Sequence, residues 1–301
     1  MIIDAHFHLW KLQRGDYGWI TPELTSLYQD YQYSDWLEER GNDVRAGILV
    51  QCAPTLAETE FLLDIADKHT DILAVVGWVD LNTDKARQEL KALSKHNKFV
   101  GVRPMLQDIA NPRWILQEQV IDNLHYCAEL NLSLDALITP AQLPYFCEAA
   151  VQLPELRIII DHAAKPNLRE QQLEEWRRYI SILAGMPNIY CKLSGLLTEA
   201  KASATASDLQ PCTDFLIDQF GVDHLVWGSD WPVLKLAASY KDWLIITATL
   251  CKSLSTKDYQ KILFENALNF YGITLAAPPS NSTESNSTKS NSTEPHEGMT
   301  S

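Results

Sequence analysis

The chain has 301 residues, of which 46% are hydrophobic, so it can bury the core of one large domain or two ordinary ones. Its 39 acidic residues against 25 basic ones leave a formal net charge of −14, without a Lys/Arg cluster, which argues against nucleic acid and anionic membranes as partners. No apolar run approaches the roughly 20 residues that cross a bilayer, and no signal peptide is evident. We therefore expect a cytoplasmic protein, with its six scattered cysteines reduced and partly buried.

Short apolar segments recur along the chain and are separated by helical patterns. Most are continuous rather than alternating, which suits strands buried on both faces of a parallel sheet. The predicted strands are 1–8, 44–51, 72–81, 99–105, 132–138, 156–163, 188–196 and 224–232. Eight such segments predict an α/β fold, a (β/α)₈ TIM barrel. A doubly wound open sheet is the alternative fold. It typically has a glycine-rich first turn that binds a nucleotide, whereas the chain after strand 1 reads AHFHLWKLQRG.

The segments between the strands carry helical periodicity, and the C-terminus has a different composition. Helices are predicted at 56–69, 83–96, 168–185, 240–254 and 256–272. The last of these begins with Thr256 as its N-cap and ends at Gly272. Residues 9–43 are rich in aromatic side chains and are expected to form a packed wall or lid. The C-terminal NST repeats have too few apolar side chains to bury, so we expect them to be disordered. Residues 1–273 are therefore predicted as a single barrel domain and 274–301 as a disordered tail.

Polar residues stand at the predicted strand ends, where the active site of such a barrel lies. In strand order they are His6 and His8, Gln51, Arg103, His162, Lys192 and Ser194, and Asp230. They are far apart in sequence and meet only if the barrel closes. Period-2 alternation predicts that Asp4, His6 and His8 share one face of the first strand. The same rule groups His162 with Ile158 and Ile160, and Asp230 with Val226 and Gly228.

Two acidic residues near these positions are expected to support the site instead of reacting. Asp161 has the opposite parity to His162 and is read as structural. Asp4 is read as an acceptor that braces the first strand.

Five motifs along the chain carry a family resemblance: DAHFHLW, GVRPMLQD, DHAAKP, CKLSGLLTEA and GSDWPV. Together they resemble the amidohydrolase superfamily and, more narrowly, its sugar-lactonase branch of the L-fucono-lactonase and L-rhamnono-lactonase type, within amidohydrolase-related family 2. The similarity runs from residue 1 to about residue 272. It implies a (β/α)₈ hydrolase that opens a sugar-acid lactone, with His6, His8, His162 and Asp230 as the catalytic set.

The chain departs from the wider superfamily at two strand ends. Strand 4 ends in Arg103, where metal-bridging members often have a lysine, and strand 5 has no histidine. Both differences remove ligands for a binuclear site. The expectation is therefore either no required cofactor or one divalent ion, zinc, on His6, His8 and Asp230.

Ester hydrolysis needs an activated water and positive charge or donors at the developing oxyanion. Asp230 is the predicted general base, and the catalytic residues around the carbonyl are His6, His8, His162 and Arg103. Arg103 can donate two hydrogen bonds in fixed geometry. The predicted substrate-binding residues are Trp10, Trp19 and Trp78 for ring stacking, Gln51, Gln107 and Ser194 for hydroxyl groups, and Lys192 as a point charge.

Three other functions remain open from the sequence. A zinc-dependent decarboxylase of the same superfamily would want a histidine on strand 5. A hydrolase of a dicarboxylate pyrone-type lactone would need more arginines than Arg103. A non-catalytic sugar-acid binding protein on the same barrel would bind without turnover. The sequence does not predict the oligomeric state or which sugar lactone fits.

Overall fold

The computed structural model describes residues 1–275 and shows eight parallel strands paired in chain order. They are β1 (Ile2–Phe7), β2 (Val44–Val50), β3 (Ile72–Gly77), β4 (Phe99–Val102), β5 (Ser133–Ala136), β6 (Ile158–Ile160), β7 (Ile189–Leu193) and β8 (Leu225–Trp227). A parallel bridge between Phe7 and Trp231 joins the first strand to the segment after the last. The predicted (β/α)₈ barrel is confirmed, and an open doubly wound order is excluded because neighbours follow the sequence from β1 to β8.

Helices surround the barrel and include each predicted helical segment. They are α1 (Tyr33–Glu39), α2 (Leu56–Lys68), α3 (Ala86–Leu93), α4 (Glu118–Glu129), α5 (Leu143–Gln152), α6 (Glu174–Ala184), α7 (Leu196–Glu199), α8 (Ala206–Phe220), α9 (Tyr240–Leu250), α10 (Thr256–Gln260) and α11 (Asn266–Tyr271). A π-helical turn, Lys261–Glu265, joins α10 to α11. Among residues 1–275, no helix is long and apolar enough to cross a membrane. Nearly all of the predicted disordered tail, 276–301, lies outside the described residues.

The barrel interior and the helix layer form separate apolar clusters. The interior cluster contains Ile3, Ala5, Ala46, Ile48, Val50, Ala74, Val76, Ile159 and Val226, with Phe270 and Tyr271 of α11. Side chains of opposite parity, such as Leu49 and Ile160, pack in the outer cluster with the helices. All six cysteines are buried and unpaired, as expected. The aromatic connection 9–43 packs as a wall, because Trp10, Tyr31 and Trp36 are buried within it.

The prediction that Asp4 shares one face of β1 with His6 and His8 is wrong, because this strand contains a register shift. Asp4 pairs with Gly47, while Phe7, three residues on, pairs with Leu49, only two residues on. The extra residue is a β-bulge, which turns one side chain to a different face. As a result Asp4 and His6 do not share a face.

The parity argument for β6 is wrong as well. Ile159 lies inside the barrel, and its neighbours Ile158 and Ile160 lie in the outer cluster. Period 2 therefore continues inward to Asp161, and His162 reaches the mouth by a turn: its φ is +52°. On β8 the argument holds, since Val226 is an interior residue.

The final helical segment begins one residue earlier than expected. The N-cap is Ser255, whose Oγ accepts the amide hydrogen of Asp258 at 3.1 Å, and Thr256 is the first helical residue. Gly272 ends the segment in the left-handed conformation, as predicted.

We expect Ser255→Ala to lower the free energy of unfolding by about 1 kcal/mol, because the amide of Asp258 loses its acceptor. Thr256→Ala is the matched control, since it deletes a neighbouring exposed hydroxyl that caps nothing, and it should leave stability nearly unchanged. Urea unfolding followed by circular dichroism measures both. A larger loss of stability in Thr256→Ala than in Ser255→Ala would show that Thr256 is the N-cap.

Candidate active site

Three imidazoles surround one carboxylate at the mouth of the barrel. Oδ1 of Asp230 lies 3.3 Å from Nε2 of His8, 3.7 Å from Nε2 of His6 and 3.7 Å from Nε2 of His162. The rings of His6 and His162 are 4.5 Å apart between centroids. The structure thus brings together the four residues that the strand ends predicted.

The backbone places these side chains through contacts between the two ends of the sheet. The amide of Asp230 donates to the carbonyl oxygen of His6, and the amide of His8 donates to that of Trp231, both at 2.8 Å. Asp230 itself has φ +59°, so the chain turns sharply as it leaves β8. Nδ1 of His8 donates to the carbonyl oxygen of Val50 at 2.8 Å, which leaves Nε2 facing Asp230.

Asp4 anchors Ser229, the residue before Asp230, by hydrogen bonds. Its carboxylate accepts the amide of Ser229 at 2.8 Å and the hydroxyl groups of Ser229 at 2.6 Å and Tyr240 at 2.7 Å. It also accepts the amide of His6 at 3.2 Å. Asp4 therefore links the two strands that carry His6 and Asp230, in agreement with its predicted bracing role.

Burial and the surrounding charges set the protonation of the cluster. Burial lowers the pKa of His162 to about 4, so this ring is neutral at neutral pH. Burial and the nearby Lys192 hold the pKa of His6 well below its usual range. Burial alone would raise the pKa of Asp230, but the surrounding imidazoles, His162 foremost, hold it below its usual value. The cluster therefore contains the ionised carboxylate of Asp230 and the neutral rings of His6 and His162.

A buried charge network lies beneath the histidines. Nζ of Lys192 is 2.5 Å from Oδ2 of Asp135, 2.9 Å from Oδ1 of Asp161 and 3.0 Å from Nδ1 of His6. Nη1 of Arg103 lies 3.4 Å from Oδ2 of Asp161. Burial opposes ionisation of Asp161, yet Lys192 and His6 hold its pKa well below the usual range. Lys192 and Arg103 thus face protein groups below the mouth.

A cavity of about 640 Å³ opens at the same end of the barrel, over the connections that follow β1 to β4. Its lining consists of Asp16, Gly18, Trp19, Pro54, Trp78, Val79, Asp80, Leu81, Pro104, Met105, Asp108, Ile109 and Trp114. Two of its lining residues adjoin predicted site residues in the chain or through a contact: Pro104 follows Arg103, and Nε1 of Trp19 donates to the carbonyl oxygen of Cys52, next to Gln51. His6, His8, His162 and Asp230 are not among the lining residues.

Only two of the predicted substrate-binding residues, Trp19 and Trp78, line this cavity. The others are Trp10, Gln51, Gln107, Lys192 and Ser194. Trp10 donates to the carbonyl oxygen of Gln29 and is fully buried, and Oγ of Ser194 lies 2.8 Å from Nδ1 of His162. The lining residues Asp80 and Trp114 went unnoticed in the sequence. Their position just after strands 3 and 4 is the signal that could have found them.

His6, His8 and Asp230 have the spacing that a tetrahedral ion requires. Bonds of about 2.0–2.1 Å place neighbouring tetrahedral ligands about 3.3–3.4 Å apart. The three ligand atoms are separated by 3.2, 3.3 and 3.7 Å. The free Nε2 of His8 and the ionised Asp230 suit a metal in their donor chemistry, whereas Nδ1 of His6 faces Lys192. The triad therefore fits one divalent ion.

The family model described as Amidohydrolase matches residues 3–273, and the chain belongs to this family of hydrolytic enzymes. Among its relatives is an L-fucono-1,5-lactonase of Burkholderia ambifaria, 39% identical over 277 residues, 90% of this chain and 95% of the relative. An L-fucono-1,5-lactonase of Burkholderia multivorans is 35% identical over 80% of this chain and 85% of its own length. A crystal structure of an amidohydrolase from Burkholderia multivorans with bound Zn is similar at a TM-score of 0.86 and 31% identity, covering 91% and 100% of the two chains.

Gly195 gives His162 the space for its ring. A Cβ at this position would lie 2.6 Å from Cγ and Nδ1 of His162, and φ is +62°. Gly272 has the same left-handed conformation, with φ +66°, and a Cβ there would meet the end of the Arg157 side chain at 3.3 Å.

We expect Gly195→Ala to lower kcat/KM by roughly tenfold or more, because the added methyl group pushes His162 away from Asp230. Gly272→Ala should lose similar stability, about 1–2 kcal/mol from the left-handed backbone, with unchanged kinetics. Steady-state assays and thermal unfolding of both variants separate the two effects. Equal kinetics for Gly195→Ala and the wild type would show that His162 is not placed by this contact.

Proposed function

We propose that this enzyme opens a neutral sugar-acid lactone of the L-fucono- or L-rhamnono-lactone type by water attack on the lactone carbonyl, with Asp230 as general base. The observation that carries the proposal is the convergence of His6, His8 and His162 on a single ionised carboxylate at the barrel mouth. The relatives named L-fucono-1,5-lactonase support the substrate class.

Asp230 is the group in the cluster that accepts a proton most directly. Its charge is maintained by the neighbouring imidazoles, and it is 4% exposed, so its Oδ1 is shielded from bulk solvent. A water held against Oδ1 gives its proton to the carboxylate as oxygen attacks the carbonyl carbon. The same proton then passes to the leaving ring oxygen, and the ester C–O bond breaks to give the hydroxy acid.

Neutral imidazoles supply the donors for the developing oxyanion. The Oγ–H of Ser194 donates to Nδ1 of His162 at 2.8 Å in the state that places the His162 proton on Nε2, towards Asp230 and the substrate. A donor that strengthens as charge develops contributes about 3–4 kcal/mol in comparable oxyanion sites. Neutral rings also avoid a fixed ion pair that would quench the Asp230 base.

The neighbouring cavity favours a neutral polyhydroxylated ring. Its walls include the indole faces of Trp19 and Trp78, and its polar groups include the carboxylates of Asp80 and Asp108. Carboxylates accept hydrogen bonds from sugar hydroxyl groups and repel an anion. No lysine or arginine occurs among the described residues that line it, and Arg103 is buried against Asp161. A dicarboxylate pyrone would lack a cationic partner there.

The decarboxylase alternative meets a specific obstacle on β5. This strand supplies Asp135, which is bound to Lys192 and to the hydroxyl group of Tyr271 at 2.6 Å, where that chemistry would want a histidine. Solved structures of 2,6-dihydroxybenzoate decarboxylase are similar at only 14% identity, which shows the shared fold alone. The proposal of a binding protein without turnover is opposed by the assembled base and imidazoles.

A divalent ion, when bound to His6, His8 and Asp230, would lower the pKa of a bound water and polarise the carbonyl. We propose that turnover does not require it, because Asp230 is already ionised and the imidazoles already lie at donor distance from the reacting groups.

Asp230→Asn should lower kcat by about 10²–10⁴-fold, because the amide keeps the shape of the side chain and cannot accept the water proton. Asp223→Asn, which alters an exposed carboxylate paired with Lys261, is the matched control and should retain wild-type kinetics. Hydrolysis of an L-fuconolactone series followed with a pH indicator measures both. Wild-type turnover by a folded Asp230→Asn variant would remove Asp230 as the base.

Chelation should leave kcat/KM within about twofold of the untreated enzyme, since the proposed reaction uses only protein groups. The measurement pairs the lactone assay with metal analysis of the same dialysed sample. Loss of activity that added zinc restores would contradict the metal-independent reaction.

A further inference from the structure

The hydrogen bonds of Lys192 determine which nitrogen of His6 carries the proton. Lys192 is fully buried on β7, and the carboxylates of Asp135 and Asp161 lie within 3 Å of its Nζ. An ammonium in such a place has three N–H donors and no lone pair. Its contact of 3.0 Å with Nδ1 of His6 therefore requires Nδ1 to be the acceptor.

The protons of the two N-terminal histidines then follow from their partners. Because Nδ1 of His6 accepts, the neutral ring carries its proton on Nε2. The carbonyl oxygen of Val50 can only accept, so His8 carries its proton on Nδ1 and presents a lone pair at Nε2. The two Nε2 atoms are 3.2 Å apart and form a donor and acceptor pair.

This arrangement opposes metal ligation at one of the three ligand atoms. A metal needs the lone pair of Nε2 on both histidines, and His6 would have to carry its proton on Nδ1 instead. Oδ1 of Asp161 is the acceptor for that second arrangement, at 3.4 Å from Nδ1. Among the described residues no well-directed donor reaches this oxygen, since Lys192 lies close to it but off the hydrogen-bonding direction.

We propose that Lys192 is a positioning residue that keeps the His6 proton on Nε2. This proton is directed at Nε2 of His8 in the free enzyme and is donated to the substrate when the substrate binds, and the triad therefore binds a divalent ion weakly. This deepens the proposed function and rests on it for the donor role of His6. It also gives Lys192, which is not among the residues that line the cavity, a role other than substrate contact. Asp161 competes with Lys192 for Nδ1 of His6. A hydrogen bond from Nδ1 to Asp161 would leave the lone pair of Nε2 free for a metal.

The direct test is the tautomer of His6 in the metal-free wild-type enzyme. Protein labelled with ¹⁵N-histidine is stripped with a chelator, and two-bond nitrogen–proton correlation spectra are recorded at neutral pH. The His6 signals are assigned by their loss in His6→Gln. The expected pattern is that of a ring protonated on Nε2. A ring protonated on Nδ1 would overturn the proposal.

The second test measures zinc affinity directly, by competition with a chromophoric chelator. Lys192→Met removes the donor to Nδ1, and Asp135→Asn combined with Lys192→Met also removes one of the carboxylates left unpaired. Both variants should bind zinc about 10–100-fold more tightly than the wild type, with the His6 proton moved to Nδ1. Unchanged or weaker affinity in folded variants would overturn the proposal.

Lys98→Met is the matched control, because Lys98 also donates to buried acceptors, the carbonyl oxygens of Ala66 and His69, away from the site. Its zinc affinity and lactone turnover should equal those of the wild type. If the wild-type enzyme opens no lactone yet shows the Nε2 tautomer and the zinc response, the proposed function fails while the role of Lys192 in setting the tautomer stands.

Discussion

The contact between the end of β1 and the segment after β8 is the constraint on which the site depends. Two backbone hydrogen bonds of 2.8 Å, from Asp230 to His6 and from His8 to Trp231, join the first and last parts of the barrel. The same two bonds place both histidines and the carboxylate within 4 Å of one another. The contact that joins β1 to the segment after β8 therefore also brings the histidines and Asp230 together. Asp4 reinforces that contact from the outer side.

Beneath the mouth, buried charge decides what the histidines can do. Lys192 and Arg103 compensate Asp161, whose carboxylate would otherwise be costly to bury. Nζ of Lys192 also lies 3.0 Å from Nδ1 of His6, and we propose that this contact orients the ring and determines which nitrogen carries its proton. A residue that looks like a substrate contact in the sequence thus acts through a neighbouring side chain. The neighbouring cavity has acidic and aromatic walls, which we propose favour a neutral ring.

The barrel was predictable because its signal is periodic and repeated. Each buried parallel strand leaves a continuous apolar segment, and a helical pattern follows several of them. The site was predictable in its members for a related reason: in this architecture the carboxyl ends of all strands meet at one face. The roles of His6, His8, His162 and Asp230 remain proposals, although their convergence is now a geometric fact.

The sequence by itself determined the fold class, the family and the four residues that converge, because these depend on local patterning and on motifs that can be read along the chain. The tertiary structure alone decided which faces the side chains occupy. A bulge in β1 and a left-handed turn at His162 override period 2, and neither changes the composition of a strand. It also decided that Lys192 points into the barrel, since burial depends on neighbours from β5 and β6 that are distant in sequence.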